Sequence, residues 1–301
     1  MIIVRLEGGL GNQMFQYAFG KSVAAHHNTL FKLDTGLLLD RTLQNTIFRD
    51  YDLSIYNLNV EIAKKNDIAE VLTNIPEYNI IEKLQFKFLN KQIPYFRKNE
   101  FYEKEFYSYD STVFKSQTKA YFYGFWQNQN YFAKIENELR KDFSFTTTLN
   151  EQASKLIAAI KSENSVAINV RRTDYINDQK TNEFMGVISE NYYSDAIKLI
   201  RQKTVKPKFY IFSDDIEWCR EKFADLENHF IVDHSFAGEK FSSYLQLMSS
   251  CKNFIIPNST FAWWAAWLNT SKEEVIVQPK KWVNYPAKDT SGLLFKNSFQ
   301  L

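Results

Sequence analysis

The sequence predicts an α/β chain made of two halves, each with a mainly parallel sheet flanked by helices. Three observations lead there. MIIVRL at the N-terminus is apolar and β-branched, and a Gly-rich turn, a helix-spaced apolar run and a second short strand follow it; that order makes one βαβ unit. From residue 150 onward, short β-rich runs alternate with amphipathic segments, and strands joined through helices run parallel. Between the two lies FSFTTTLN (143–150), a polar break. The predicted division is residues 1–149 and 150–301.

In chain order, residues 1–6 form the first strand. Met14, Phe15, Ala18, Phe19 and Val23 fall at helical spacing after GGLGN, and NTLFKLD (28–34) is the next strand. Residues 35–120 are read as mostly helical with short loops, ending in a strand at 119–126. In the second half, helices are expected at 150–162, 191–203, 215–223, 240–251 and 260–268. Strands are expected at 165–170, 208–213, 229–233, 253–257 and 274–278. The helix after 260, FAWWAAW, is too apolar for a surface and belongs in the core.

Composition narrows the function. Lys and Arg total 37 against 35 Asp and Glu in 301 residues, a net charge of +2. Bulk charge therefore does not hold a nucleic-acid backbone. The chain is rich in rings, with 26 Phe, 17 Tyr and 6 Trp, and the rings of 95–132, including Tyr123, Phe125 and Trp126, are candidates to line a groove. Cys219 and Cys251 are the only cysteines, too few for a disulfide framework and suited to a reducing compartment. Arg5 and Glu7 interrupt the apolar start, and no run approaches the ~20 apolar residues of a membrane span. The lysine–aromatic stretch 82–107 is read as a solvated helix with a buried aromatic side.

In open parallel sheets ligands bind at the carboxyl ends of the strands. Strand 165–170 ends in Asn169, Arg171, Arg172 and Asp174; strand 208–213 in Ser213, Asp214 and Asp215; strand 253–257 in Asn258, Ser259 and Thr260 just before a helix. An arginine pair and a hydroxyl-rich helix start suit a phosphate or diphosphate, through bidentate hydrogen bonds and the helix N-terminus. The turn Gly8-Gly9-x-Gly11 also admits a dinucleotide reading with Asp34 on a ribose, but Met14 stands where the third glycine belongs. Asp50-Tyr51-Asp52 is a D-x-D, a short pattern seen in metal-dependent sugar transferases. The four histidines show no zinc-ligand spacing.

GGLGNQMFQYAFGKSVA (8–24), NVRRTDY (169–175), YIFSDDIEWC (210–219) and NSTFAWWAAWL (258–268) resemble four signature blocks of the α-1,2-fucosyltransferases of glycosyltransferase family 11. YFYGFWQNQNYF (121–132) resembles a fifth. The resemblance implies GT-B, two Rossmann-like domains facing a central cleft, with the acceptor side in 1–149 and the GDP-fucose side in 150–301. It implies GDP-β-L-fucose as donor, inversion at the anomeric carbon, and no metal or cofactor. The acceptor expected is a β-galactoside-terminated glycan, such as a lipid-linked O-antigen intermediate. The expected setting is the bacterial cytoplasm, with at most peripheral contact at the inner face of the inner membrane. Donor contacts are expected from Gly9, Gly11, Asn12, Gln13, Arg171, Arg172, Ser213, Asp214, Asp215, Asn258, Ser259 and Thr260.

One block departs from the family. H-x-R-R-G-D usually stands where this chain has Asn169-Val170-Arg171-Arg172-Thr173-Asp174. Asn cannot take a proton at neutral pH. The catalytic set expected is therefore Arg171, Arg172, Asn169 and Asp174, with Asp174 either a base or an ion-pair partner that holds the arginines. The Arg-Arg-Thr-Asp form also resembles the core α-1,6-fucosyltransferases, so another linkage stays open. So do a nicotinamide oxidoreductase and a non-catalytic sugar-binding protein.

Overall fold

The computed structural model describes residues 1–43, 48–72, 99–271, 274–285 and 288–301; the side chain of Asp174 also lies outside the described residues. The opening βαβ unit is present as β1 (Ile2–Arg5), α1 (Leu10–His26) and β2 (Phe31–Asp34). The first sheet adds β3 (Glu61–Ile62), β4 (Glu100–Tyr102) and β5 (Ala120–Tyr123). Its order is β3-β2-β1-β5-β4, with every pairing parallel.

The expectation of a mostly helical 35–120 needs correcting. Its described residues hold β3, β4, short 3-10 turns and α2 (Lys65–Leu72). The two strands span two and three residues at or beside the sheet edge, too short to show alternation in sequence. Residues 82–98 of the lysine–aromatic stretch lie outside the described residues.

The second half follows the predicted alternation. After α3 (Glu136–Asp142) come α4 (Glu151–Ser162), β6 (Ser165–Val170), α5 (Thr173–Asn177), α6 (Gln179–Met185), α7 (Glu190–Lys203), β7 (Lys208–Ser213), α8 (Ile216–Lys222) and β8 (His229–Val232). Then come α9 (Ser242–Ser249), β9 (Asn253–Ile255), α10 (Thr260–Leu268), β10 (Ile276–Gln278) and β11 (Phe299–Gln300). The sheet order is β11-β10-β9-β6-β7-β8, again parallel throughout. This is the α/β, two-Rossmann plan expected. Strand order reverses between β6 and β9, the switch point at which such sheets take ligands.

The two sheets share one core. Helix α1 is buried on nearly all sides, and α10 packs on it: Phe15 lies 4.8 Å from Trp263 and 4.9 Å from Trp264 between ring centroids. Trp263 and Trp264 are fully buried and Trp267 nearly so, as their sequence context predicted. Burying side chains of this size contributes ~1.5–3 kcal/mol each, so this contact is a main source of cohesion between the halves. FSFTTTLN lies between the sheets in sequence and folds back on the first half, with the Phe143 ring 5.1 Å from Tyr56 and Thr146 N–H donating to the Ile55 carbonyl at 3.1 Å.

Candidate active site at the strand ends

The turn after β1 is built around backbone geometry. Gly8 has φ +80°, and a Cβ there would lie 2.3 Å from Asn12 Nδ2, so only glycine fits without strain. Gln13 is fully buried. Its amide nitrogen donates to the carbonyls of Gly8 at 3.0 Å and Asp50 at 2.9 Å, and its oxygen accepts from Asp52 N–H at 2.9 Å. Gln13 therefore ties the turn to the 50–52 loop, with both amide hydrogens engaged by the protein. Gly9 is the open position: a Cβ there would meet nothing closer than Arg49 Nη1 at 4.0 Å.

Asn12 joins three of the sequence blocks. Its Oδ1 accepts from Gln127 Nε2 at 2.9 Å and from Thr260 Oγ1 at 3.1 Å. Trp264 Nε1 donates to the Gly11 carbonyl at 3.0 Å. The first turn of α10 thus abuts the first turn of α1, rather than facing it across a gap as the sequence suggested. Gly11 permits this because it has no Cβ to collide with Thr260. Away from this joint, Lys240 Nζ donates to the Tyr51 carbonyl and Ser54 Oγ, each at 2.7 Å.

At the second switch point the arginines are held from behind. Asp214 accepts from Arg172 N–H at 3.0 Å and Thr173 N–H at 3.1 Å, and Arg171 Nη1 lies 3.2 Å from its Oδ2. Asp215 caps α8 through Trp218 N–H at 3.2 Å, and its other oxygen is 3.5 Å from Arg172 Nε. The Arg172 guanidinium also covers the Trp218 ring, 4.2 Å from its centroid. Both aspartates thus organise the arginine loop: Asp214 holds its backbone and Arg171, and Asp215 caps α8.

The remaining expected residues line or support the same rim. Asn169, 8% exposed, donates from Nδ2 to the Phe212 carbonyl at 3.3 Å. Ser213 is buried and its Oγ accepts from Asp215 N–H at 2.8 Å. Asn258 is buried too; its amide donates to the carbonyls of Met185, Gly186 and Trp282, the nearest at 2.8 Å. Asn258 positions the β9–α10 turn through its amide nitrogen, and its Oδ1 has no hydrogen-bond partner among the described residues. Ser259 is the N-cap of α10 without a side-chain capping bond. Because β6 pairs with both β7 and β9, residues 169–172, 213–215 and 258–260 sit side by side at one end of the sheet.

Other sequence candidates fall away. Asp34 accepts from Tyr121 Oη and from Gly36 N–H, so its carboxylate is engaged at the sheet and does not await a ribose. Asp50 pairs with Arg41, burial raises Asp52 above the usual carboxylate range, and among the described residues no three His, Cys, Asp or Glu side chains converge as metal ligands. Burial pushes the Cys219 thiol up to about 12, so it is a core residue and no nucleophile. Trp126, a groove candidate, is 1% exposed with its ring stacked on Phe19 at 4.1 Å, so its flat face is closed to a ligand although the residue borders a cavity. Sequence reasoning missed Gln127, Arg49, Lys240 and Trp218; the Gln-Asn-Gln run after the Gly-aromatic segment was the one available signal.

The family model for glycosyl transferase family 11 matches residues 1–296. The alpha-1,2-colitosyltransferase of Escherichia coli is 31% identical over 287 residues, covering 94% of this chain and 92% of that protein. The O-antigen biosynthesis glycosyltransferase WbnK of Escherichia coli is 29% identical, with 92% and 93% covered. The galactoside 2-alpha-L-fucosyltransferase Sec1 of Mus musculus is 22% identical, with 89% and 64% covered. Among solved structures, POFUT1 in complex with GDP-fucose gives a TM-score of 0.49 at 13% identity, covering 92% of this chain and 97% of that one. With a match that runs through the glycine turn, the arginine loop and the α10 start alike, the chain belongs to glycosyl transferase family 11.

Proposed function

We propose that the protein transfers L-fucose from GDP-β-L-fucose to the 2-hydroxyl of a galactose residue in a glycan, with inversion at the fucose anomeric carbon. The observation that carries this reading is the arginine pair held at the β6/β9 switch point by Asp214 and Asp215. In the transfer the bond from the anomeric carbon to the diphosphate breaks through an oxocarbenium-like state. The leaving GDP gains negative charge, and the acceptor hydroxyl bonds to the anomeric carbon as it loses its proton. Fixed cations at the diphosphate stabilise the departing charge without reorganising, and Arg171 and Arg172 are placed for that role. Asn169 holds its strand end and does not take the proton.

The direct test is incubation with GDP-fucose and a panel of β-galactosides, with and without EDTA. We expect transfer to at least one acceptor in both conditions. Absence of both product and GDP release would overturn the reading, and loss on chelation would overturn metal independence. A relative named for colitosyl transfer makes a colitosyl donor the second arm; product from that donor alone would replace fucose. The O-antigen relative supports a lipid-linked acceptor met at the cytoplasmic face of the inner membrane.

Two substitutions probe the rim. Asp214→Ala removes the acceptor of two backbone N–H groups and an arginine partner. It is expected to cost about 1–2 kcal/mol of stability and roughly tenfold in GDP affinity, read by thermal melting and calorimetry. Asn169→His places a larger ring at a buried strand end. It is expected to destabilise by ~1–3 kcal/mol and to lower kcat. A gain in kcat would instead show that the family histidine has a base's role that this chain can regain.

A further inference from the structure

We propose that the cavity of about 330 Å³ between the 103–111 segment and Trp126 binds one hexose ring of the acceptor glycan, with ring hydroxyls hydrogen-bonded to Glu103 and Trp126. The inference rests on the transferase reading above and gives it an acceptor subsite.

The cavity lies at the carboxyl ends of β4 and β5, the edge of the first sheet that also carries the Gly8–Gly9 turn. Its size falls at the lower end of small-molecule sites. Two of the residues that line it each carry a buried polar atom, Glu103 Oε1 and Trp126 Nε1, with no hydrogen-bond partner among the described residues. One is an acceptor and the other a donor, and an unmet group of this kind is costly. A sugar hydroxyl is donor and acceptor at once, so sugar hydroxyls suit both groups.

The two groups are fixed in place. Glu103 Oε2 accepts from the N–H groups of Phe125 at 2.7 Å and Trp126 at 3.2 Å. The Trp126 indole is stacked on Phe19 with the planes 3° apart. Backbone strain borders the cavity as well: Trp126 has φ +55° and Tyr107, which follows the 103–106 stretch, φ +72°. Bulky residues are held in that region only by strong surroundings, and such positions gather at ligand sites. Tyr109, 44% exposed and also lining the cavity, offers a flat apolar face for a sugar ring.

Charge argues for a neutral polyol over an anion. Glu103, Glu105 and Asp110 line the cavity against Lys104 alone, and Lys104 Nζ is 3.5 Å from Asp110 Oδ2. Burial, opposed by the backbone N–H bonds from Phe125 and Trp126 and the nearby Tyr107 N–H and reinforced by the Glu7 charge, raises Glu103 to about 7. The diphosphate therefore belongs elsewhere. The subsite is still coupled to the donor side, since Gln127 follows Trp126 in the chain and bonds Asn12, which bonds Thr260.

The test uses the full chain and three variants. Trp126→Phe keeps the stack and deletes the N–H; Glu103→Gln keeps the shape and reverses one polarity; Tyr109→Ala alters an exposed ring and leaves folding aside. Each is expected to raise the acceptor KM about 5–10-fold, with GDP affinity unchanged. Unchanged acceptor KM in all three, with melting temperatures held, overturns the subsite. Methyl β-galactoside titrated without donor, followed by tryptophan fluorescence, separates this from the transferase reading. Saturable binding that Trp126→Phe weakens supports the subsite even where no donor yields product, and binding that all three variants leave unchanged overturns it.

Discussion

Arg171→Ala and Arg172→Ala each reduce transfer by ~10²–10³-fold or more, the range seen when one preorganised donor to a developing anion is removed. The expectation follows from where the charges sit. Both guanidiniums are partly buried, with side-chain exposures of 31% and 19%, so solvent screens them less than surface charges. Arg172 is further oriented by the Trp218 face. Stability should fall by only ~1–2 kcal/mol, because Asp214 keeps its two backbone N–H partners and Asp215 its helix cap. Lysine is not expected to rescue, since an ammonium lacks the planar fork. GDP-release rates, calorimetric GDP affinity and thermal melting together check the pattern. Retained activity in both variants would remove the diphosphate assignment.

Gly11→Ala is expected to destabilise the whole chain, against the usual trend. A glycine-to-alanine change inside a helix normally helps by about 1 kcal/mol. Here the new Cβ would lie 2.6 Å from Thr260 Oγ1 and 2.7 Å from both Thr260 C and Phe261 N. Two of those atoms are backbone and do not swing aside. The α1–α10 contact must open, which disturbs the Trp264–Gly11 hydrogen bond and the Phe15–tryptophan contacts. Overpacking of this kind costs about 1–3 kcal/mol, a fall of several degrees in Tm for a chain of this length. A Tm equal to or above the parent's would show that the contact yields.

Much of the fold was legible because its signals are local. The helix after GGLGN and the strand–helix alternation after 150 are read from period and from glycine placement. The edge strands at 61–62, 100–102 and 299–300 are too short for any period to register, and what forms them is pairing with a distant strand. The site divided in the same way. Arg171, Arg172 and the Ser259–Thr260 helix start were visible as polar residues at strand ends. Which polar groups hold other protein groups was not visible, because Gln13, Asp214 and Asn258 find partners 24 to 73 residues away. Asp214 lies 42 residues from Arg172 in sequence, and the β6–β7 pairing puts it beside the arginine loop. Glu103 escaped, and Trp126 was read as a ring and not as a donor, for a related reason: an unmet hydrogen-bonding atom exists only once the chain has folded around it.

The direct seating of α10 on α1 also governs how the halves can move. Backbone atoms of Thr260 and Phe261 stand so close to Gly11 that neither helix can slide toward the other along this seam without a backbone clash. Drawing the halves straight apart would unpack the tryptophan core, and the Lys240 contact to Tyr51 and Ser54 ties them at a second place.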